Sequence, residues 1–329
     1  MSGWTRLGRV ELPPLGPMAN SHAMLPTPLV LDDRIRVYFA ACDVEMRGRV
    51  FWADLSRDDP RRVIDVSPGP ALDLGKGDAF DVDGVNPSQV VQRDGAVWLY
   101  YIGWRRGPAE APYTLFVGLA KSEDGGRRFY RVQADPILKP VPGEELFRTA
   151  SHVFRWGEGW AMFYIGGGAF FTAASGKRLP TYGLRCATSD DGFNWDEPGA
   201  IALSPRADRG EIGFGRPVLW RDDGRVVLLL SVRSEAGYRL VSVSRLPPGD
   251  DDISELLEHT DDAWEAEMTC FGAPCTAGGN EYLFYNGNGF GRTGFGVAQR
   301  PATIAPQDGL DRLVGSVLAG APSLRHTAG

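Results

Sequence analysis

Three observations predict an all-β chain folded as a five-bladed β-propeller. A strand–turn–strand unit recurs five times, the stretches between copies lack helical periodicity, and glycine and proline make up about a fifth of the 329 residues. Residues 26–33 lead into 34–39, 87–95 into 96–101, 150–157 into 160–164, 216–224 into 226–230, and 273–279 into 282–285. Each copy is a short apolar run, a turn bearing Asp or Gly, and then a β-branched or aromatic run, which is a hairpin signature. The turn markers Asp32, Asp94, Gly157, Asp223 and Gly278 stand 62, 63, 66 and 55 residues apart.

A second pair of strands follows most copies. Residues 115–120 run into Ser122-Glu123-Asp124-Gly125, and 182–187 into Ser189-Asp190-Asp191-Gly192; residues 239–244 and 294–298 repeat the strand. Four short antiparallel strands in about 60 residues make one blade. Residues 6–12 are expected to supply a missing strand to the last blade. Residues 253–259 are the only helix-like piece. One domain is expected over residues 1–318, followed by a small, polar, loose tail at 319–329.

The net charge of −7 argues against a nucleic-acid partner, because phosphate binding needs a clustered basic surface and only the pairs Arg105-Arg106 and Arg127-Arg128 come near one. No apolar run approaches a membrane span and no basic-then-apolar signal opens the chain, so no membrane partner and a cytoplasmic location are expected. Cys42, Cys186, Cys270 and Cys275 form no CxxC motif and are read as buried free thiols. Nothing in the sequence calls for a cofactor or a metal.

In a propeller the first strand of each blade runs along the axis, and the residues just before it line the funnel mouth. Five polar segments therefore converge: 20–24, 80–86, 148–152, 211–216 and 264–269. Polar groups before all five apolar strands exceed what packing needs, and a concave site with converging carboxylates, guanidinium and imidazoles is the natural place for chemistry. Asp81 or Asp83 with Glu267 are the candidate catalytic carboxylates, one as general acid and one as general base, with Glu211 and Glu265 in reserve. For the aspartates the competing reading is that they satisfy turn backbone groups. Arg216 would clamp a carboxylate or phosphate, and His22 and His152 would donate to an anion or hydroxyl. Asn286 and Asn288 would bond a ligand hydroxyl at the rim, and Trp104 would offer a wall to a sugar face. The run Gly289-Phe290-Gly291 lies between strands, not before a helix, so it is not a dinucleotide fingerprint.

These residues resemble the arabinanase and fructosidase type of five-bladed propeller. They are most similar to a glycosidase-like branch found in bacterial polysaccharide and secondary-metabolite clusters. The resemblance rests on the repeated Ser-(Asp/Glu)-Asp-Gly turns and spans about residues 4–300. It also rests on Ser21-His22-Ala23, Phe80-Asp81 with Asp83-Gly84-Val85, Tyr100 to Trp104, Arg216-Pro217, Glu267-Met268, and Asn286-Gly287-Asn288-Gly289. It implies a carbohydrate-active enzyme working on a sugar or glycosylated small molecule. Relatives of this type place an Asp base on blade 1, an Asp on blade 2 and a Glu acid on blade 3. This chain keeps the blade 2 acid at Asp81 or Asp83, has Ser21-His22-Ala23 on blade 1, and has residues 148–152 on blade 3 with Glu144 and Glu145 upstream. Related mannoside phosphorylases need one acid and basic residues that hold phosphate, so Asp83 with Arg216, His22 and His152 would suit phosphorolysis. A sugar-binding propeller without turnover is the reading from another class.

Overall fold

The computed structural model describes residues 3–196, 198–222, 225–258, 260–302 and 309–318. It is all-β. After β1 (Thr5–Arg9) comes a first unit of β2 (Ser21–Val30), β3 (Arg34–Cys42), β4 (Gly48–Ser56) and β5 (Val63–Val66). A second holds β6 (Gly84–Arg93), β7 (Ala96–Arg106), β8 (Tyr113–Ser122) and β9 (Tyr130–Arg131). A third holds β10 (Phe147–Trp156), β11 (Gly159–Thr172), β12 (Arg178–Ser189) and β13 (Ala200–Leu203). A fourth holds β14 (Gly213–Asp222), β15 (Arg225–Arg233), β16 (Tyr238–Val243) and β17 (Ile253–Glu255), and the chain continues with β18 (Cys270–Ala277), β19 (Asn280–Asn286) and β20 (Phe295–Pro301). Consecutive strands within a unit pair antiparallel. The last unit takes its fourth strand from the start of the chain: β1 pairs antiparallel with β20, Thr5 opposite Gln299.

The hydrogen-bonded ladders do not close on themselves. One path runs from β17 to β2, and β1, β20, β19 and β18 form a separate sheet. Short parallel contacts join successive units at Gly48–Gly84, Leu115–Phe147 and Tyr182–Gly213. The first strands of the units also touch in turn: β2 with β6, β6 with β10, β10 with β14, β14 with β18, and β18 with β2.

Every neighbouring pair of units shares an apolar core. Trp52 packs with Leu99 and Tyr101, Tyr100 with Met162 and Tyr164, and Phe163 with Leu228. Val227 packs with Leu283 and Tyr285, and Phe284 and Phe295 with Phe39 and Phe51. Because both faces of each sheet are covered, β4 is buried along its whole length. Burying side chains of this size contributes roughly 1.5–3 kcal/mol each.

Two features of the sequence explain the local geometry. Each first strand carries an irregularity where its register shifts, between Pro87 and Gln89 and between Gly215 and Val218 for example. In four units a non-glycine residue there has positive φ: Leu25 (55°), Ala150 (51°), Arg216 (42°) and Phe271 (56°). Such bulges bend a strand and re-aim its side chains. The Ser-x-Asp-Gly turns close on their own side chains. Asp191 Oδ1 accepts from Phe193 N (2.7 Å) and Asn194 N (2.8 Å), and Ser189 Oγ accepts from Gly192 N (2.8 Å).

The structure departs from the sequence reading at two places. Residues 250–252 make a single 3-10 turn, and Ile253–Glu255 is a strand against β16, not a helix. A helix unforeseen in the sequence, α1 (Leu310–Leu318), lies against β13 and β15. The Asp223-Gly224 turn and the tail at 319–329 lie outside the described residues. The four cysteines are buried and free. No helix among the described residues is long and apolar enough to cross a membrane.

Candidate functional site

Arg216 sits on the β14 bulge and is 3% exposed. Its Nη1 donates to the main-chain oxygens of Pro26 (2.8 Å) and Phe271 (3.1 Å). Its Nη2 donates to Thr27 Oγ1 (2.7 Å) and the Ser88 oxygen (3.3 Å). One guanidinium from β14 therefore ties together β2, β6 and β18. Ser88 Oγ extends the network to β10 by donating to the Ser151 oxygen at 2.8 Å. This differs from the expected ligand clamp: both Nη groups are occupied by the protein itself. Burial, with no carboxylate partner among the described residues, pushes the Arg216 pKa down to about 9.

The two histidines lie beside different arginines. His152 is half-buried, stacks on Phe154 with ring centres 6.3 Å apart, and burial with the Arg216 charge pushes its pKa down to about 3. His22, at φ 65°, has its Nδ1 2.9 Å from Ser21 Oγ. Burial and the charge of Arg292 lower its pKa. Both rings are thus favoured in their neutral form.

The aspartates of the second unit part company. Asp81 is fully buried, and its Oδ2 accepts from Tyr101 Oη (2.9 Å) and Arg131 Nε (2.7 Å). Gly103 lies so close that an added Cβ would stand 2.7 Å from the Asp81 Cβ. The carboxyl is a brace between β7 and β9. Asp83 is half-buried at the end of β7, where Oδ2 accepts from Arg106 N at 2.9 Å and its own N–H donates to the Trp104 oxygen at 3.1 Å. Trp104, half-buried, tilts against Tyr113 with centroids 6.0 Å apart.

Asn286 and Asn288 both bind neighbouring main chain. Asn286 Oδ1 accepts from Leu25 N, and its Nδ2 donates to the Ala23 and Gly294 oxygens, all at 2.8 Å. Asn288 Oδ1 accepts from Glu267 N (2.9 Å) and Met268 N (3.1 Å), and its Nδ2 donates to the Ala263 oxygen (3.0 Å). Their amides bind backbone where ligand hydroxyls were expected. The result is a fixed main chain beneath Glu267, whose side chain is exposed. Of the reserve acids, Glu265 is paired with Arg6 (3.1 Å) and Glu211 with Arg206 (2.9 Å) and Arg239 (3.4 Å).

Glu267 lines one open cleft with Glu211, Arg233, Tyr238 and Arg239; Asp83 does not line it. Arg233 was not singled out in the sequence. Its Nη1 donates to Tyr182 Oη at 2.6 Å, and Tyr182 and Tyr238 share a hydrogen bond of 2.8 Å between their hydroxyls. The guanidinium lies 5.9 Å and 5.5 Å from the centres of those rings. Burial, with added repulsion from neighbouring groups, holds the Tyr238 hydroxyl well above its ordinary pKa. Aromatic contacts continue from Tyr182 through Phe147 and Tyr113 to Trp104. Phe290, 41% exposed and at φ 61°, meets Tyr238 edge-on at 5.8 Å. Arg233 closes β15 and Tyr238 opens β16, so a search confined to the segments before first strands passes over both. Their signal in the sequence is a cation and a tyrosine flanking the short turn Ser234-Glu235-Ala236-Gly237. Among the described residues no group of three or more His, Cys, Asp or Glu is placed to hold a metal ion.

No family model matches this chain. It is 26% identical over 305 residues to the uncharacterized protein Rv1502 of Mycobacterium tuberculosis, covering 90% of this chain and 98% of the relative. Among solved structures it is similar to a glycoside hydrolase with a TM-score of 0.66 and 17% identity, over 92% of this chain and 96% of the other. It is also similar, with a TM-score of 0.64, 13% identity and 93% and 96% coverage, to a structure from work on the GH130 family of mannoside phosphorylases, described as containing glycoside hydrolases that target β-1,2 mannosidic linkages in Candida mannan. At such identities the likeness speaks for the fold: an all-β architecture of the kind found in glycoside hydrolase propellers.

Proposed function

We propose that the chain is a single five-bladed β-propeller and a carbohydrate-active enzyme whose acid/base chemistry takes place at the funnel mouth. The cyclic contacts of the five first strands and the five inter-unit cores support the propeller reading. One observation carries the functional reading: Glu267 is an exposed carboxyl on a braced backbone, in a cleft beside Arg233 and Tyr238. Glu267 protonates the departing glycosidic oxygen, and Asp83, which does not line that cleft, is the carboxyl proposed to activate water from elsewhere around the mouth. Trp104 and Tyr113 support the sugar face, because aromatic planes bury the apolar side of a pyranose while its hydroxyls stay bonded. His22 and His152, both neutral, remain candidates for polar contacts, and Asp81, Arg216, Asn286 and Asn288 position the walls. The free thiols fit a reducing compartment.

A second reading puts phosphate in place of water. The fold likeness to the mannoside phosphorylase group and the arginine at the mouth favour it. Purified protein assayed with aryl glycosides and β-mannosides, with and without 10 mM phosphate (about that level), separates the readings. Turnover without phosphate supports hydrolysis, and phosphate-dependent sugar phosphate release supports phosphorolysis. Glu267→Gln is expected to lower kcat by about 10²-fold or more, the range for losing a general acid. A folded Glu267→Gln variant with unchanged turnover would refute its role, and sugar binding with no turnover by the unaltered protein would favour the binding module.

A further inference from the structure

We propose that Arg233, with Tyr182 and Tyr238, is an oxyanion anchor, and that the substrate handled at this mouth carries a negatively charged acid group. The inference rests on the cleft being the sugar site and adds what that sugar must carry.

The argument is a count of hydrogen-bond capacity. Arg233 is held by Tyr182 through Nη1, Tyr238 and Tyr113 stand beside it, and among the described residues it makes no ion pair with a carboxylate. A guanidinium has five N–H donors and no acceptor. The three phenols have one hydrogen each, and the bond between Tyr182 and Tyr238 uses one of the three. The cluster therefore keeps phenolic hydrogens and guanidinium N–H groups in excess over its acceptors. A donor-rich, half-buried cation is satisfied by an anion with several lone pairs, as a carboxylate or phosphate has.

The surroundings fit the same ligand. Glu211, which lines the same cleft, is already engaged by Arg206 and Arg239. Tyr182 and Tyr238 are buried, with ring centres 5.9 Å and 5.5 Å from the guanidinium carbon. Glu267 lines the same cleft without pairing with Arg233. An acid group on Arg233 would thus set one end of a sugar while the exposed carboxyl of Glu267 meets another part of it. This also accounts for a cation at the mouth of a chain whose net charge is −7.

Calorimetric titration of the intact protein at low salt tests the proposal with four probes: glucuronate, glucose 1-phosphate, inorganic phosphate and neutral glucose. Glucuronate or glucose 1-phosphate is expected to bind at least about tenfold tighter than glucose, with the preference shrinking as salt rises. Arg233→Gln is expected to abolish that preference. Tyr182→Phe, which frees the held Nη1 without removing charge, should weaken it severalfold and serves if Arg233→Gln does not fold. Binding of both acidic sugars but not of phosphate alone identifies the substrate's own acid group as the source. Phosphate binding as tight as glucose 1-phosphate, and lost in Arg233→Gln, assigns the anchor to free phosphate and overturns the acidic-sugar proposal. Equal affinity for glucose and its charged relatives, or a preference that survives Arg233→Gln, also overturns it. Glucoside or mannoside turnover that depends on Glu267 but not on Arg233 would leave the proposed function standing while this inference fails.

Discussion

Replacing Arg216 by methionine keeps most of the side-chain volume and removes the guanidinium that links β14 to β2, β6 and β18. Four hydrogen bonds of 2.7–3.3 Å disappear, three of them to main-chain oxygens. Bonds from a charged donor contribute about 1.5–3 kcal/mol each, so the gross loss is roughly 6–12 kcal/mol. Against this stands the cost of burying a cation with no carboxylate beside it, several kcal/mol. The depressed Arg216 pKa of about 9 has the same sign. The expected net effect is a destabilisation of about 2–5 kcal/mol. With an unfolding entropy of about 2 cal/mol/K per residue, that lowers Tm by roughly 3–7 °C. The positive φ at this position is equally awkward for arginine and methionine, so backbone strain cancels in the comparison. Differential scanning calorimetry of the two proteins reads the shift, and Arg216→Lys, which reaches fewer acceptors, should fall between them. A methionine variant that melts within about 1 °C of the original, or above it, would show that desolvation equals or exceeds the bonds and would overturn the assignment of Arg216 as the tie between first strands.

Three other outcomes follow from the same geometry. Asn288→Ala removes the acceptor of Glu267 N and Met268 N, costing about 1–2 kcal/mol locally; amide exchange should quicken at those two positions and not in β3, and uniform protection would count against the brace. His152 has a folded pKa of about 3, below its unfolded value, so the unfolded chain binds the extra proton first. Stability is therefore lost as pH falls from about 6.5 towards 3, by roughly 2–4 kcal/mol for a half-buried ring, and His152→Gln should flatten that part of the urea midpoint against pH. Asp81→Asn should cost about 3 kcal/mol through the unpaired Arg131 and Tyr101 while leaving sugar affinity within about twofold; an affinity loss without a stability loss would move Asp81 into the site.

Much of the fold was legible because the repeat is written in local chemistry. The Asp of each Ser-x-Asp-Gly turn accepts neighbouring N–H groups, so the turn announces itself wherever the motif occurs. The helix at Leu310–Leu318 carried a readable signal in Leu310, Leu313, Val314 and Val317 at i, i+3, i+4 and i+7. Residues 253–255 read as helical because nothing local shows that Val243 waits opposite Ile253. For the site, the polar residues before the first strands pointed to Glu267, which lines a cleft, and to Asp83, which does not line it. A bulge decides where a side chain points, however, and a bulge has no period. Arg216 at φ 42° turns into a cage of main-chain oxygens, and Arg233 reaches the cleft from the end of a second strand. Neither direction is written in spacing alone.

The pairing of β1 with β20 has a consequence for how this molecule is made. Thr5–Arg9 leaves the ribosome some 290 residues before Phe295–Pro301, its hydrogen-bonding neighbour. Units built from consecutive strands can form while synthesis continues, since their contacts are local. The last sheet cannot, because its outermost strand has been waiting since the beginning. Until the two meet, β20 offers a bare row of amides and carbonyls to any passing strand. A nascent chain stalled beyond residue 301 is therefore the form most exposed to joining another copy, and a peptide matching residues 5–9, supplied early, would compete for the place that the chain's own beginning must take.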